Sequence, residues 1–330
     1  MPLYNAKFAS FGSFAPKKIV NNFDLEKLVD TSDEWIRTRT GMFERHHCST
    51  EEAASDLAHQ AALNAIEASS VKYKDIDLII VGTVTADHAF PSTGCIVQKK
   101  LGLKNIPAFD VSAGCTGFVY SLDIAKNYVE NGGAKNVLVI GVDILSKVTN
   151  WDDRNTCVLF GDGAGATIVS RARSNDISRI IDSLIFADGS QSDLLFQAGG
   201  GSRQPASHET VDKNLHTVYM EGNKIYKNAI RSMFASTDEL LRRNKMDVKD
   251  VDWVIPHQAN LRIIEGLADK LHIPMNKVIV NIEKYGNTSS GTIGLAMDEA
   301  IRSKKIRRGD VVLLTSFGAG LTWGSILARY

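Results

Sequence analysis

The stretches Asp75–Val81, DIDLIIV, and Asp250–Ile255, DVDWVI, decide the fold, because each places a short apolar strand pattern after a charged turn. A second pair follows, since Lys135–Gly141, KNVLVIG, resembles Gly309–Ser316, GDVVLLTS. The copies are about 175 residues apart, the distance from Asp75 to Asp250, so each repeat is the size of a domain. We therefore predict a duplicated protein with its site between the halves, although generic βα units also resemble one another.

Apolar strand patterns alternate with helical patterns along the chain, which is typical of mixed α/β layers. The predicted strands are Ile76–Val81, Ala108–Val111, Val137–Val142, Ala166–Val169, Trp253–Ile255, Val278–Ile282, Val311–Thr315 and Gly324–Leu327. The predicted helices are Ala53–Ala68, Gly117–Glu130, Tyr226–Arg242 and Leu261–Leu271. We place the boundary between the halves at residue 175, giving residues 1–175 and 176–330.

The charge balance excludes a general attraction to polyanions. Lys plus Arg and Asp plus Glu both number 38 among 330 residues, so no overall field favours nucleic acid or an anionic membrane. Residues 1–18 lack the continuous apolar stretch of a signal peptide, and no apolar run reaches the length of a membrane span. We expect a cytoplasmic protein without nucleic-acid or membrane partners.

The four cysteines, Cys48, Cys95, Cys115 and Cys157, form no CxxC pair, so each is either core filling or a nucleophile. Cys115 lies in Asp110–Gly117, DVSAGCTG, where a strand pattern turns into a helix. Backbone N–H groups and the dipole at a helix N-terminus favour the thiolate. The flanking glycines would let a substrate approach the sulfur, although small residues also serve tight helix packing.

Two more polar residues follow strand patterns in the second half. His257 lies just past the strand in WVIPHQAN, a favourable place for a site, although this position alone favours a structural histidine. Asn287, in YGNTSSG, could donate from its side-chain amide or cap a helix. Because Cys115 and Asn287 fall at matching points of the two copies, we expect both helix starts to face one pocket.

Two glycine-rich turns, Phe160–Gly165 and Ser316–Gly320, each precede a strand. Neither has the strand-to-helix form of a dinucleotide fingerprint or the lysine of a phosphate-binding loop. Backbone N–H groups of the second turn could form half of an oxyanion hole.

These motifs together resemble the β-ketoacyl-acyl-carrier-protein synthase III family over nearly the whole chain. The further segments that carry the resemblance are Asp30–Trp35, Arg39–Gly41, Ala89–Pro91, Pro256–Arg262, Gly286–Thr288 and Thr322–Gly324. The resemblance implies an α/β thiolase fold, in which two duplicated halves form αβαβα layers and the enzyme is a homodimer. The first half would carry the nucleophilic cysteine, and the second the histidine and asparagine.

The implied reaction is a decarboxylative Claisen condensation. Cys115 would take an acyl group, such as acetyl, from acyl-coenzyme A. His257 and Asn287 would then stabilise the enolate formed when malonyl-acyl-carrier protein loses carbon dioxide. No metal or redox cofactor is expected, and the oxyanion hole would use the backbone N–H groups of Cys115 and Ala319.

The resemblance also implies substrate and partner contacts. From the residue types alone, the arginines among these positions would be interpreted as surface charges and the aromatic residues as core. The implied coenzyme A contacts are Trp35, Arg39, Arg154, Gly222 and Asn260; the acyl-pocket residues are Leu145, Phe160 and, reaching from the dimer partner, Phe90; and the carrier-protein docking residues are Lys227, Arg262 and Lys270. Two positions depart from the family pattern. Ala319 stands where a glycine can occur, and Asp269 where a basic residue can occur.

Three alternatives remain at this point. A relative in polyketide or other secondary metabolism would share the triad and differ in its substrates. A thiolase or hydroxymethylglutaryl-type synthase would need a second active-site cysteine or a glutamate base, and Cys95 and Cys157 are not in such a context. A catalytically silent acyl-carrier binding homologue would keep the fold. The sequence does not fix the preferred primer, because side-chain rotamers determine the depth of the pocket.

Overall fold

The computed structural model describes residues 2–330 and contains two main sheets with helices on their faces. The strands are β1 (Ala6–Phe14), β2 (Lys18–Asn21), β3 (Glu44–His47), β4 (Leu78–Gly82), β5 (Ala108–Val111), β6 (Asn136–Ile144), β7 (Asp162–Arg171), β8 (Arg179–Ala187), β9 (Leu195–Gln197), β10 (Val218–Met220), β11 (Trp253–Pro256), β12 (Val311–Gly318) and β13 (Thr322–Arg329). The helices are α1 (Asn22–Leu25), α2 (Asp33–Thr40), α3 (Ala54–Glu67), α4 (Thr93–Lys100), α5 (Gly117–Glu130), α6 (Arg154–Cys157), α7 (His208–Asp212), α8 (Gly222–Arg243), α9 (Leu261–Leu271), α10 (Ile282–Tyr285) and α11 (Thr292–Arg302).

The two main sheets share one pattern of strand directions. The first has the order β1-β7-β6-β4-β5 and the second β11-β12-β13-β8. In each sheet a parallel pair, β4 with β6 or β11 with β12, is followed by two antiparallel strands. Leu78 pairs with Val137 in the first sheet and Trp253 with Val312 in the second. The members of these pairs are 175 residues apart in the numbering, which confirms the duplication.

Alternating side chains on the central strands build two layers of core. Leu78 and Ile80 of β4 pack with α5 and α11, which lie between the sheets. Ile79 and Val81 face the other way and pack with α3 and α4. Helices α8 and α9 cover the outer face of the second sheet. The five layers confirm the predicted αβαβα arrangement.

Glycines set the distance between the middle helices and the first sheet. A Cβ on Gly165 of β7 would lie 2.4 Å from the Cα of Gly294 in α11. A Cβ on Gly82 of β4 would lie 2.5 Å from the carbonyl carbon of Gly117 at the start of α5. Backbone therefore packs on backbone at both contacts, and the starts of both helices are held against the first sheet.

The predicted strand Val278–Ile282 is wrong. Val278 forms a single parallel bridge with Val254, at the place that β5 occupies in the first sheet, and Ile282 already begins α10. The buried side chain of Gln258 explains the difference. Its amide nitrogen donates to the carbonyl of Ile279 at 3.1 Å, and its oxygen accepts from the N–H of Asn281 at 3.1 Å. A side chain thus occupies the backbone groups that a longer strand would pair.

The boundary at residue 175 stays a prediction. The first sheet uses strands within residues 6–171, and the second uses strands within residues 179–329. Helix α11 nevertheless packs against β7 and β1 of the first sheet as well as on the shared core. The middle layer therefore joins the two halves.

Candidate active site

A cavity of about 760 Å³ brings most of the predicted site residues together. At its exposed end it is lined by Arg39, Gly222 and Arg262. Its buried end is lined by His257 and Asn287, which are 3% and 6% exposed. The remaining predicted residues on its wall are Trp35, Cys115, Phe160 and Asn260. The cavity therefore joins a basic mouth to a polar interior.

Cys115 lies in a 3₁₀ turn, Gly114–Thr116, that leads into α5. The surroundings of the sulfur oppose the effect of the helix N-terminus, which favours a thiolate. Burial raises the pKa of the Cys115 thiol to about 12, the Ser289 hydroxyl lowers it through a hydrogen bond, and the Asp143 carboxylate raises it. The dipole at the helix N-terminus lowers the pKa of the thiol, but the exclusion of water by burial raises it more. The resting group is therefore a thiol.

His257 follows the last residue of β11, and its backbone N–H donates to the carbonyl of Thr315 at 2.8 Å. The ring nitrogen Nδ1 lies 2.7 Å from the Thr292 hydroxyl, while the ring borders the cavity. Burial lowers the pKa of His257 to about 3. The imidazole is therefore neutral near pH 7.

Asn287 is fixed at both its backbone and its side chain. Its N–H donates to the carbonyl of Leu159 at 2.9 Å, and its carbonyl accepts from Gly161 at 3.0 Å. The side-chain oxygen Oδ1 accepts the N–H of Ser289 at 2.8 Å. Within residues 2–330 no acceptor takes a hydrogen bond from Nδ2, which leaves that donor for the cavity.

The expected match of Cys115 with Asn287 is wrong by three residues. Gly114 has φ 52° and Ser289 has φ 51°, and each opens a 3₁₀ turn that runs into a helix of the middle layer. Counting from these positions, Cys115 corresponds to Ser290. Asn287 lies on the loop just before the second turn, because the helix start itself is occupied by serines.

The two backbone groups predicted for the oxyanion hole are close together. A Cβ on Gly114 would lie 2.6 Å from the nitrogen of Ala319, and a Cβ on Gly318 would lie 2.6 Å from the nitrogen of Cys115. Both glycines are thus required for the approach of the two turns. The alanine at 319 keeps the N–H that the site would use.

Comparison with known proteins agrees with this geometry. The family model for 3-oxoacyl-[acyl-carrier-protein (ACP)] synthase III matches residues 109–189, and the model for its C-terminal part matches residues 241–330. The beta-ketoacyl-[acyl-carrier-protein] synthase III of Caldanaerobacter subterraneus subsp. tengcongensis is 53% identical over 319 residues, which are 97% of this chain and 96% of that protein. The chain belongs to the β-ketoacyl-acyl-carrier-protein synthase III family. It is therefore an acyltransferase with the thiolase fold, a ketoacyl synthase of fatty acid synthesis.

Solved structures give the same result. The crystal structure of 3-oxoacyl-[acyl-carrier-protein] synthase III from Aquifex aeolicus VF5 superposes with a TM-score of 0.91 at 47% identity, covering 98% of this chain and 100% of that one. The priming β-ketosynthase from the R1128 polyketide biosynthetic pathway superposes with a TM-score of 0.90 at 31% identity, covering 99% and 97%. These comparisons confirm the predicted family.

Two of the predicted coenzyme A contacts, Trp35 and Arg154, lie together, as the family resemblance implies for residues that would clamp the adenine of coenzyme A. The guanidinium carbon of Arg154, at the start of α6, is 4.9 Å from the ring centre of Trp35 in α2. Arg154 also donates to the carbonyl of Asp30 at 2.7 Å. Trp35 lines the cavity, whereas Arg154 stands beside it. An adenine can lie between the two planes only if Arg154 first moves off the indole.

Asn260 and Gly222 lie at the N-termini of α9 and α8, at the cavity mouth. Asn260 caps α9 by accepting the N–H of Arg262 at 2.9 Å, and its amide donates to the carbonyl of Arg39 at 3.0 Å. It therefore ties α9 to the end of α2. Gly222 begins α8, and a Cβ there would meet only Met220, at 3.9 Å. Because Gly222 has no side chain, the cavity is wider at this point.

The three predicted acyl-pocket residues occupy different places. Phe160 is on the cavity wall. Leu145 is 4% exposed and is not among the lining residues. Phe90 is 86% exposed and lies outside the chain's own cavity. Its role in a partner's pocket stays a prediction.

The predicted docking residues lie on α8 and α9. Arg262 lines the mouth, and its guanidinium is 5.9 Å from the ring centre of Tyr226. Lys227 is exposed one turn into α8. Lys270 is exposed near the end of α9, with its ammonium 4.9 Å from the ring centre of Phe234. Lys227 and Lys270 are not on the cavity wall.

Other lining residues were not singled out from the sequence. The apolar side of the wall includes Leu195, Met220, Ile225, Tyr226, Ala229, Met233 and Ile263. The apolar residues of α8 and α9 recur at helical spacing, which predicts burial but not a cavity. Leu195 and Met220 belong to a two-stranded antiparallel sheet, β9 with β10, that no pattern indicated.

Across residues 2–330, no helix has both the length and the apolar character needed to span a membrane. Over the same residues, no three or more His, Cys, Asp or Glu side chains converge as metal ligands do.

Proposed function

We propose that this synthase condenses acyl-coenzyme A, with acetyl as the primer, with malonyl-acyl-carrier protein. The products are 3-oxoacyl-acyl-carrier protein, coenzyme A and carbon dioxide. The observation that carries the proposal is a single cavity with Cys115, His257 and Asn287 on its inner wall and Trp35 and Arg39 toward its mouth. A long thioester substrate fits this plan, since its nucleotide stays outside while its carbonyl reaches the sulfur.

The first half-reaction is acyl transfer. The sulfur of Cys115 forms a bond to the acyl carbon, the bond from that carbon to the coenzyme A sulfur breaks, and the thiol proton ends on the released coenzyme A. The developing oxyanion lies between the N–H groups of Cys115 and Ala319, whose turns approach closely. Such fixed donors stabilise a transition state without reorganising.

The second half-reaction begins when the malonyl group loses carbon dioxide. The electrons of the broken carbon–carbon bond become an enolate on the thioester, whose oxygen accepts hydrogen bonds from His257 Nε2 and Asn287 Nδ2. The enolate carbon then attacks the acyl group, and Cys115 leaves as a thiolate that regains a proton. Decarboxylation supplies the carbanion, so this step needs neither a strong base nor a cofactor.

Two protein partners belong to the proposal. The acyl-carrier protein would dock at the cavity mouth, where Arg262 lines the wall and the exposed Lys227 and Lys270 stand outside it on α8 and α9. A second copy of the chain would receive the exposed Phe90 in its acyl pocket. The expected location is the cytoplasm, where both substrates of fatty acid synthesis are found.

Mass spectrometry tests the acyl-transfer step directly. After incubation with acetyl-coenzyme A, the intact protein should gain one acetyl group, and peptide mapping should place it on Cys115. Cys48, Cys95 and Cys157 are the internal controls. Acetyl on one of these three, or no acetylation at all, would contradict the proposal. A turnover panel of straight and branched acyl donors then identifies the primer.

A further inference from the structure

A hairpin of the second half packs on the turn that carries Cys115. Strands β12 and β13 form this hairpin, in which Gly318 pairs with Thr322. Ser316, Gly318 and Thr322 share one face, because side chains alternate along a strand and paired residues point the same way. A Cβ on Gly318 would lie 2.6 Å from the nitrogen of Cys115, so this face meets the turn. The glycine leaves a gap for the turn, with a hydroxyl residue on either side.

Both hydroxyls on this face donate to backbone carbonyls around the turn. The Ser316 hydroxyl donates to the carbonyl of Cys115 at 2.8 Å. The Thr322 hydroxyl lies 2.9 Å from the carbonyl oxygens of Ala113 and Ala319, and its one proton serves both. Because a carbonyl oxygen only accepts, the hydroxyl is the donor in each of these contacts. The two side chains therefore hold the backbone of Cys115 and of Ala319.

A third hydroxyl joins the turn to the hairpin in the opposite direction. Thr116, the residue after the nucleophile, donates from its side chain to the carbonyl of Thr322 at 3.1 Å. Thr116 and Ser316 are fully buried and Thr322 is 9% exposed, so these contacts are shielded from water. The turn and the hairpin are thus fixed to each other by three hydroxyl groups across more than two hundred residues of sequence.

The N–H groups of the two held residues are not used by the fold. Within residues 2–330, neither Cys115 nor Ala319 donates its N–H to a backbone carbonyl. Such donors stabilise an oxyanion only when both are already in place, because they then need not reorganise as the charge develops. The separation of the two N–H groups therefore depends on the contacts that fix the two backbones.

We propose that Ser316 and Thr322 are positioning residues, whose hydroxyls fix the separation of the Cys115 and Ala319 N–H groups and thereby determine the rate of acyl transfer. The proposal rests on the proposed function, in which these two N–H groups bind the oxyanion of the first half-reaction. It adds that a nucleophile in the first half of the chain depends on side chains of the second half for its oxyanion hole.

Two variants remove the hydroxyls, and each half-reaction is measured alone. Thr322→Val and Ser316→Ala should each slow acetylation of Cys115 roughly tenfold, less than deletion of an oxyanion donor, because the N–H groups are displaced but retained. KM for acetyl-coenzyme A should stay unchanged, since the lost interaction is made in the transition state. Carbon dioxide release from malonyl-carrier protein alone should also stay unchanged, because that enolate is proposed to bind at His257 and Asn287.

Three further variants separate positioning from a general loss of packing. Thr322→Ser keeps the hydroxyl and should acetylate at the wild-type rate. Thr167→Val and Ser10→Ala remove comparably buried hydroxyls, which donate to backbone carbonyls at 2.6 Å in the first sheet and do not line the cavity. Both controls should also acetylate like the wild type. If Thr322→Val does not fold, Ser316→Ala and its control Ser10→Ala decide the question.

Infrared spectroscopy of the acetyl-enzyme reports on the hole itself. Acetyl-coenzyme A with an isotope label in its carbonyl group places that label on Cys115. Hydrogen bonds from two fixed N–H groups lower the stretching frequency of this carbonyl. The band should therefore lie at higher frequency in Thr322→Val and Ser316→Ala than in the wild type, and it should not move in Thr167→Val. An unmoved band in both hydroxyl variants would overturn the proposal.

The kinetic outcomes separate this proposal from the proposed function. If Thr322→Val and Ser316→Ala acetylate as fast as Thr167→Val and Ser10→Ala, the hydroxyls do not fix the oxyanion hole and the proposal is refuted. Equal losses in acetylation and in carbon dioxide release would also refute it, because they indicate a general effect on the fold. If the wild type itself is not acetylated on Cys115, the proposed function fails first.

Discussion

The starts of α5 and α11 have the same backbone and carry different chemistry. Each begins with a residue at positive φ, Gly114 at 52° and Ser289 at 51°, followed by a 3₁₀ turn and a helix of the middle layer. The first uses glycine, which adopts this conformation freely, and the second uses a serine, for which it is unfavourable. The second turn therefore keeps a side chain where conformation alone would favour glycine.

The polar contacts of the second turn account for that serine. Its N–H donates to the side-chain oxygen of Asn287 at 2.8 Å, and its hydroxyl acts to lower the pKa of the Cys115 thiol and of the Asp143 carboxyl, both of which burial raises. The hydroxyl of the next residue, Ser290, lies 2.8 Å from both an Asp143 carboxyl oxygen and the carbonyl oxygen of Gly82, and the Ser290 N–H donates to Asp143 at 3.1 Å. One copy thus presents a nucleophile, and the other orients the groups around it.

Replacing Cys115 by serine makes the start of α5 chemically similar to the start of α11. This substitution should have the largest effect on condensation. Cys115→Ser should abolish condensation, because a hydroxyl is a weak nucleophile without an adjacent base and His257 is proposed to hold its proton on Nε2. The variant should unfold at the wild-type temperature. Cys95→Ser, at an exposed cysteine, is the control and should keep full turnover. Persistent condensation in Cys115→Ser would exclude Cys115 as the acyl carrier.

The donors near the second start should matter in one half-reaction only. We expect His257→Ala and Asn287→Ala each to lose roughly a hundredfold or more in decarboxylation, because the enolate oxygen loses a fixed donor. Acetylation of Cys115 should suffer less in both. Measuring carbon dioxide release and protein acetylation separately decides this prediction. Equal losses in the two half-reactions would show that the two starts do not divide the chemistry.

The sequence predicted the shared pattern better than the difference between the two starts. Helices α5 and α9 begin and end at the predicted residues, because apolar periodicity and small-residue turns are local signals. The match of Cys115 with Asn287 was wrong, since only the backbone conformation shows that Ser290 corresponds to Cys115. The strand at 278–282 was wrong because Gln258, twenty residues earlier, occupies the backbone groups of that segment.

The site was predicted in part for a similar reason. Cys115, His257 and Asn287 stand at strand ends or helix starts, and the fold brings such positions together. Thr292 was not identified, because a threonine at the start of a helix has no distinctive pattern. The effect of burial on Cys115 was not predicted, because a helix N-terminus is visible in the sequence, whereas the burial that raises the pKa of the thiol is not.

Ser290 should contribute to stability more than to catalysis. Ser290→Ala removes a donor from the fully buried Asp143 carboxylate, and the free energy of unfolding should fall by about 1–3 kcal/mol. Acetylation of Cys115 should remain. Ser121→Ala is a matched control on α5, because the Ser121 hydroxyl is buried without a hydrogen-bond partner. Chemical denaturation of both variants provides the comparison, and equal stability losses would contradict the prediction.

The smallest expected effect is on the binding of the carrier protein at the cavity mouth. The outer layer formed by α8 and α9 lies there. Asp269 is exposed on α9, seven residues beyond Arg262 and on nearly the same face. That separation is roughly 10 Å along the axis, about one Debye length at 0.1 M salt. Its carboxylate should therefore weaken the positive field at the mouth only when salt is low.

Asp269→Lys should lower KM for malonyl-carrier protein by roughly two- to fivefold at low ionic strength, the range of exposed charge pairs, and leave it unchanged at high salt. KM for acetyl-coenzyme A should stay constant, because its nucleotide is proposed to bind at Trp35 and Arg154. Asp238→Lys makes the same charge change sixteen residues beyond Gly222 on α8, roughly 24 Å from the mouth, and should alter neither constant. If Asp269→Lys and Asp238→Lys behave alike at low salt, the docking surface does not include Asp269.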